Sequence, residues 1–477
     1  MPDSMHNDRA QRLITQRCLI AADVDKTILS QIADLNAERQ LFFRQLAPQL
    51  VEAANLGANV AFVTGNSIHE LCSRVLDFLI KQLAHTNDLP LLSQFHFFCN
   101  SGGVYFHFPA ELISQAGTES VLWKTIVSKR GNELCVKSKF VHEGYLTRTL
   151  VQSPDATAIT RILDEAAAQY MEELEARKSD YQDRYDLSLI QKNGQFLRPM
   201  PETRTVEYGS GNSQGLAAVQ VTLKPVLSFR HAKECCASEL FGNDVRTALI
   251  RRIQDKLDGD GLDRYVARPG GRGSIDVTLQ RLDKAYALEF LIDYLRVEGN
   301  PRRGQQFGSN TIYFGDEVII GGGNDYPVTR IPGLMVFAVN PDKELVPCIS
   351  PVYVPSAIFA GPEATAKVLT QFNECAHELL GSFSEDQPST LTAIEALKHR
   401  IFTDRIRRKI EDLTLKSSVA LDDWQTLHTF VTLMSRDDPA ARYWLSLLVK
   451  ELDGIMTQLG TTGGAAGLGT SYPRTAT

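Results

Sequence analysis

Three apolar segments near the start of the chain each end in small polar residues, and helical periodicity fills the gaps between them. LIAA leads into Asp23-Val-Asp25, NVAFV leads into Thr64-Gly65-Asn66, and FHFFC leads into Asn100. Apolar residues recur at helical spacing over 36–56 and 67–84. This alternation predicts a parallel sheet with helices on its faces. Ligands bind at the carboxyl ends of such strands, so the polar residues there predict a binding site.

The pattern changes near residue 105. Strand-like alternation at 121–131, 139–152, 215–229 and 263–279, with helical stretches at 155–177 and 243–257, predicts an inserted α+β unit. Buried strands at 310–318 and 332–340 then resume the first domain. The predicted domains are a core of 1–104 and 280–359, an insert of 105–279, a helical extension of 360–460 and a disordered tail of 461–477.

Composition limits the class of partner and the compartment. The net charge of −7 argues against a nucleic acid partner. No apolar run approaches the ~18 residues that span a membrane, and the first residues lack the apolar core of a secretion signal. The eight cysteines form no C-x-x-C pair. We therefore expect a cytoplasmic protein without disulfides.

The Asp23-Val24-Asp25 segment places two carboxylates on one side of an extended chain, because residues i and i+2 face the same way. A plain surface turn is one explanation, since aspartate is common where strands end. A divalent cation is the other, and clustered oxygen ligands suit Mg²⁺. One carboxylate could then attack phosphorus while the other transfers protons.

Thr64 and Lys284 fit the same phosphate chemistry. Thr64 offers a hydroxyl and a loop amide to a phosphate oxygen, although Thr64 or Ser67 could instead cap the next helix. Lys284 begins a predicted helix at 283–297 and could neutralise a phosphoryl group. An ordinary solvated lysine is the alternative.

A later strand ends in Gly315-Asp316, and a glycine-rich loop then leads to Asn324-Asp325. The glycines allow a tight backbone course. Asp316 and Asp325 could add oxygen ligands for the metal, and an acidic turn between two strands is the alternative.

The order of these motifs resembles the haloacid dehalogenase superfamily of phosphotransferases. The resemblance rests on Asp23-Val-Asp25-Lys-Thr27, Thr64-Gly65-Asn66, Lys284, Gly315-Asp316 and Asn324-Asp325. The insert resembles the large α/β cap of the Cof and sucrose-phosphatase type, and the resemblance covers about 17–360. It implies an α/β fold with a Rossmann-like parallel-sheet core and an inserted α+β cap, followed here by a helical extension.

The resemblance also implies roles for individual residues. Asp23 would be the nucleophile, and Asp25 would protonate the leaving oxygen and then activate water. The implied Mg²⁺ ligands are Asp23, Asp25 through its backbone carbonyl, and Asp316; the implied phosphate-binding residues are Thr64, Gly65 and Lys284; the implied outer shell is Asn324 and Asp325.

Two positions depart from the family pattern. Lys26 stands where the family usually has glycine, and it puts a cation beside the nucleophile. Asn66 stands where cap-bearing relatives often have arginine. The stretch containing Lys284 and the G-G-G-N-D loop looks especially like eukaryotic phosphomannomutases, but their arginine-bearing cap motif is missing, which favours a hydrolase over a mutase.

The expected activity is Mg²⁺-dependent hydrolysis of a small phosphorylated metabolite, for example a sugar phosphate. Arg268 and Arg272 are candidate substrate contacts, although a plain hairpin turn explains them equally simply, and Arg230-His231 is a weaker candidate. Two alternatives are a phosphosugar mutase and a low-activity scaffold whose helical C-terminus binds a protein partner.

Overall fold

A computed structural model describes most of the chain in two compact units, Met1–Gly299 with Gln306–Ile394 and Asn300–Gln305 with Glu395–Thr477. The described residues are 14–29, 45–131, 133–209, 214–225, 240–270, 273–299, 306–318, 324–339, 352–353, 361–382 and 392–401. Apart from the helical residues 395–401, all the features below belong to the first unit.

The strands of the first unit fall into a main sheet, a second sheet and two short hairpins. They are β1 (Leu19–Ala22), β2 (Asn59–Val63), β3 (Phe95–Cys99), β4 (Val104–His107), β5 (Val127–Arg130), β6 (Glu133–Val136), β7 (Gln191–Lys192), β8 (Gln195–Phe196), β9 (Pro201–Tyr208), β10 (Gly215–Leu223), β11 (Tyr265–Gly270), β12 (Ser274–Leu279), β13 (Thr311–Gly315), β14 (Met335–Ala338) and β15 (Val352–Tyr353).

Helices connect and cover these strands. They are α1 (Ala47–Asn55), α2 (Ile68–Leu71), α3 (Asp77–His85), α4 (Ala110–Ala116), α5 (Glu119–Ile126), α6 (Glu143–Thr149), α7 (Ser153–Ala176), α8 (Lys178–Gln182), α9 (Asn243–Gly259), α10 (Lys284–Leu295) and α11 (Pro362–Gly381). A π-helical turn, Cys72–Leu76, joins α2 to α3, and residues 393–401 are also helical. Among the described helices, none has the length and apolar content to cross a bilayer.

The main sheet has the strand order β15-β14-β13-β1-β2-β3-β4. Every neighbouring pair is parallel except β3 and β4, which are antiparallel. All residues of β1, β3 and β13 are buried, as expected for strands covered on both faces. The predicted α/β fold with a Rossmann-like parallel sheet is confirmed. Strand β4 extends this sheet beyond residue 104, where the first core segment was predicted to end.

The inserted α+β unit has an antiparallel sheet of order β11-β12-β10-β9. Its apolar face packs against α7 and α9, and the residues that form this core include Ile159, Leu163, Val221, Leu223, Ile253, Leu257, Ile275 and Val277. The side chains that alternate with these in the strands are polar and include Gln220, Thr222 and Asp276, which are also buried. The sheet of the insert therefore has a polar face on the side away from α7 and α9.

Two stretches that the sequence predicts as strands are partly helical instead. Residues 121–126 lie in α5 while 127–130 form strand β5, and 139–152 contains α6. The side chain of Thr118 caps α5, and that of His142 caps α6. Tyr145 of α6 is buried against aromatic rings of β3 and α10. Capping and burial thus outweigh the β-propensity of the aromatic and β-branched residues there.

Helix α11 belongs to the predicted helical extension and packs on the core. Asn373 donates hydrogen bonds to the backbone and side-chain oxygens of Gln49 in α1, at 3.1 and 3.0 Å. Nearer its start, the Thr365 hydroxyl donates to the carbonyl of Thr27 at 2.9 Å. The first helix of the extension therefore contacts the loop that follows β1. Residues 402–477 lie outside the described part of the chain.

Candidate active site

The register of the main sheet brings three strand ends together. The last residue of β1 lies opposite Phe62 of β2 and Phe314 of β13. The amide of Asp23 extends this ladder by donating to the carbonyl of Phe314 at 2.9 Å. Because parallel neighbours are ~4.8 Å apart, Thr64 and Asp316 leave the sheet on either side of Asp23.

Lys284 connects these strand ends from the first turn of α10. Its ammonium lies 2.9 Å from Oδ1 of Asp23, 2.7 Å from Oδ1 of Asp325 and 3.2 Å from Oδ1 of Asn324. Three acceptors match the three protons of an ammonium group. The Asp283 carboxylate caps α10 by accepting from the Tyr286 amide at 2.9 Å, which fixes where the helix begins. Lys284 is thus a buried side chain with a defined position.

Asp325 is held by donors on both of its oxygens. The Tyr313 hydroxyl donates to Oδ1 at 2.6 Å, and the Glu317 amide donates to Oδ2 at 2.9 Å. A Cβ at Gly315 would lie only 2.6 Å from Oδ2 of Asp325, so this close approach requires glycine. With its oxygens engaged in this way, Asp325 is suited to orient Lys284.

The carboxylates of Asp23, Asp316 and Asp325 form a buried cluster. Each offers an oxygen within 4.8 Å of the others. Burial, together with the neighbouring carboxylates, raises the pKa of Asp23 well above its usual range, although Lys284 opposes the shift. Burial and Asp325 raise the pKa of Asp316 to about 6, while Lys26 opposes that shift. Ionised carboxylates are therefore disfavoured here unless further positive charge is present.

Burial and the neighbouring charges shift the pKa of Lys284 in opposite directions. Burial by itself lowers the pKa of the ammonium, but Asp23 and Asp325 outweigh burial and raise the pKa above its usual value. Lys284 therefore stays charged. Among the described residues, Lys284 and Lys26 are the cations that contact the three carboxylates, and the oxygen donor set fits a hard divalent cation such as Mg²⁺.

Asp25 is not one of the three clustered carboxylates, and it pairs with Arg74. The Arg74 guanidinium lies 2.8 Å from Oδ1 of Asp25. Arg74 belongs to the π-helical turn after α2, a kind of distortion that is frequent at functional sites. The sequence predicts a helix here but gives no signal that this arginine faces the loop after β1.

Lys26 has a backbone φ of 55°, in the left-handed region. The amides of Ile28 and Leu29 both donate to the carbonyl of Val24, at 3.1 and 2.9 Å, which closes a tight turn around Lys26. The family's usual glycine would adopt this conformation without strain. The Lys26 ammonium lies 3.0 Å from Oδ2 of Asp316.

Thr64 stabilises the loop after β2. Its hydroxyl accepts from the amide of Asn66 at 3.1 Å, and its carbonyl accepts from the amide of Ser101 at 3.0 Å. Ser67, not Thr64, caps α2, in a capping box with Glu70. Of the two residues that the sequence offers as a cap, the structure uses Ser67, and Thr64 remains at the strand end.

Arg204 of β9 joins the insert to this loop. Its Nη1 donates to the carbonyl of Gly65 and to Oδ1 of Asn100, each at 3.3 Å. No local pattern in the sequence points to Arg204, because nothing there relates a strand of the insert to a loop of the core.

Of the two arginines predicted as substrate contacts near the hairpin of the insert, the structure describes only Arg268. Arg268 donates from both terminal nitrogens to the backbone carbonyls of Leu282 and Gln280, just before α10. Arg268 therefore stabilises the segment that leads from the insert back to α10. A contact of Arg268 with the substrate stays a prediction. Arg272 lies outside the described residues, as do Arg230 and His231.

Comparison with known proteins gives matches among solved structures. No protein-family model matches the chain, and no curated protein matches it. An N-terminally truncated IMP-nucleotidase from Plasmodium falciparum is 14% identical, with a TM-score of 0.41, over 76% of this chain and 72% of that one. The Synechocystis sucrose-phosphatase is 13% identical, with a TM-score of 0.33, over 68% and 82%.

A third match is a haloacid dehalogenase-like hydrolase from Bacteroides thetaiotaomicron, 12% identical with a TM-score of 0.31, over 67% of this chain and 88% of that one. Since these TM-scores are below 0.5, the similarities do not assign an activity or a substrate to this chain.

Proposed function

We propose that this chain is a Mg²⁺-dependent phosphatase of the haloacid dehalogenase superfamily, which hydrolyses a small phosphomonoester through an aspartyl-phosphate on Asp23. The observation that carries the proposal is the contact of Lys284 with both Asp23 and Asp325, beside Asp316. This arrangement sets a cation against one oxygen of Asp23 and places acidic oxygens that could hold a metal ion beside it; both supply the positive charge that phosphoryl transfer needs.

In the first step, an oxygen of Asp23 attacks phosphorus and the bond from phosphorus to the ester oxygen breaks. Asp25 gives a proton to that oxygen, so the leaving group departs as an alcohol. The Arg74 guanidinium, 2.8 Å from Oδ1 of Asp25, holds the carboxyl group in place during this transfer.

In the second step, water attacks the phosphorus of the aspartyl-phosphate. Asp25, now a carboxylate, takes the proton from this water, and the bond from phosphorus to Asp23 breaks. Inorganic phosphate leaves, and both aspartates return to their starting state. Lys284 stays charged throughout because two buried carboxylates raise its pKa.

The phosphoryl oxygens would be held by Lys284 and by Thr64 with Gly65. Asp23 and Asp316, with the backbone carbonyl of Asp25, would hold Mg²⁺. The bound metal supplies positive charge against the phosphoryl oxygens and the carboxylates. Asp325 would act one layer further out, since its oxygens already accept from Tyr313 and Glu317.

The insert is the proposed source of substrate selectivity, with a sugar phosphate as the candidate class. Arg204 supports this proposal, because it reaches from β9 to the Gly65 carbonyl beside the phosphate-binding residues. The contacts of α11 with Thr27 and Gln49 support an internal packing role for the start of the helical extension.

A panel of phosphomonoesters tests the proposal. Purified protein is incubated with sugar phosphates and nucleoside monophosphates, with Mg²⁺ or with excess chelator, and inorganic phosphate is measured. We expect Mg²⁺-dependent release from at least one ester. Isomerised sugar phosphate without free phosphate would instead indicate a mutase, and no reaction with any ester would contradict the proposal.

A further inference from the structure

The ammonium of Lys26 lies 3.0 Å from Oδ2 of Asp316, the carboxylate at the end of β13. Asp316 is almost fully buried, and Lys26 is about one quarter exposed, at 4% and 27% of their side-chain surfaces. This is a direct ion pair at the edge of the site. It places a cation of the protein itself on a residue that would otherwise bind a metal.

The backbone holds Lys26 in this position. Its φ of 55° is unusual for a residue with a side chain, and the turn that imposes it is closed by hydrogen bonds to the Val24 carbonyl. The turn is also supported from outside, because Thr365 donates to the carbonyl of Thr27. The lysine is thus aimed at Asp316 by a fixed loop.

A divalent cation needs the same carboxylate. An ammonium 3.0 Å from a carboxylate oxygen and a metal ion bound to that group repel each other strongly in a partly buried site. A metal ion that binds Asp316 must therefore displace the Lys26 ammonium or share Asp316 with it. Either event costs free energy that a glycine at this position would not cost.

We propose that Lys26 is an internal competitor for the metal, which weakens the binding of Mg²⁺ to the substrate-free protein. The inference rests on the proposed function, since it takes Asp316 as a metal ligand. Lys26 directly follows Asp25 in the loop that begins at Asp23. An ammonium displaced by Mg²⁺ therefore stays near the nucleophile. The unusual lysine therefore sets the metal affinity of the resting site.

Isothermal titration of MgCl₂ into the substrate-free full chain tests this competition without measuring activity. Lys26→Met keeps the length of the side chain and removes its charge. Lys26→Gly also relieves the left-handed backbone, and it serves if the methionine variant does not fold. Lys26→Arg keeps the charge and is the matched control, while Asp316→Asn removes the shared carboxylate. Circular dichroism confirms that each variant is folded.

We expect Lys26→Met and Lys26→Gly to bind Mg²⁺ about tenfold more tightly than the wild type, Lys26→Arg to bind within about twofold of it, and Asp316→Asn to lose binding. Equal or weaker binding by both uncharged variants, with Asp316→Asn still defective, would overturn the competition but leave the metal site intact. Absence of binding in every variant would overturn the metal site of the proposed function and the inference with it.

Discussion

The ammonium of Lys284 lies 2.9 Å from Oδ1 of Asp23, so the start of α10 is ionically joined to the end of β1. Both side chains are buried, and the same ammonium contacts Asp325. One lysine thus balances carboxylates that would repel each other in a low-dielectric interior.

Replacing Lys284 with methionine should therefore impair both stability and catalysis. Two buried carboxylates would lose their counter-charge, which costs about 3–5 kcal/mol of unfolding free energy when one partner of a buried pair is removed. Turnover should fall by about 100-fold or more. Urea unfolding and phosphate release measure the two effects. Lys81→Met is the control, since Lys81 pairs with Asp77 at a half-exposed site; equal stability of the two variants would contradict the assignment.

Mg²⁺ should raise the melting temperature of the protein. The clustered carboxylates of Asp23, Asp316 and Asp325 favour a bound cation, and a ligand at 100 times its dissociation constant stabilises by about 2.7 kcal/mol. Differential scanning fluorimetry with MgCl₂, followed by chelator, measures the shift and its reversal. Asp316→Asn should not respond. A variant response equal to that of the wild type would place the metal elsewhere.

Arg204→Ala should lower kcat/KM about tenfold and also lower the free energy of unfolding. Nη1 of Arg204 holds the carbonyl of Gly65 and the side chain of Asn100, and hydrogen bonds from a charged donor are worth about 1.5–3 kcal/mol. Steady-state kinetics on the best ester measures the change. Arg198→Ala, which breaks an exposed ion pair with Asp164 inside the insert, is the control. Unchanged kinetics in Arg204→Ala would mean that this contact does not position the loop.

Gly361→Ala should lower both the stability of the protein and its turnover. Gly361 precedes α11 with a φ of 56°, and a Cβ there would lie 2.7 Å from the carbonyl oxygen of Lys26. The new methyl group would strain the backbone by about 1–2 kcal/mol and push on the loop that carries Asp23. Chemical unfolding and turnover are measured against Gly381→Ala, where nothing lies within 4 Å. If both variants behave alike, α11 does not support the loop.

The sequence predicts the strand ends well, because apolar runs followed by polar residues have a local signature. Asp23, Thr64 and Asp316 were identified in this way, and the register of β1 with its neighbours brings them together. Strands β4 and β15 were missed, since both are short and lie at the edges of the sheet.

Contacts between distant elements have no local signature. The pairing of Arg74 with Asp25, of Arg204 with Gly65 and of Lys26 with Asp316 depends on tertiary structure. The helices α5 and α6 were mistaken for strands for a related reason. The Thr118 cap gave a readable signal for α5, but the aromatic burial that stabilises α6 comes from β3 and α10.

The most direct test of the nucleophile is the release of inorganic phosphate by Asp23→Asn in the presence of Mg²⁺. We expect turnover to be lost while the fold is kept. Without Mg²⁺ its melting temperature should rise, because burial raises the pKa of Asp23, so that this carboxyl group costs stability at neutral pH, while Lys284 keeps Asp325 as its partner. Asp77→Asn, at the half-exposed pair on α3, should keep wild-type turnover. Asp23→Asn with wild-type phosphate release would contradict the assignment of Asp23 as the residue that attacks phosphorus.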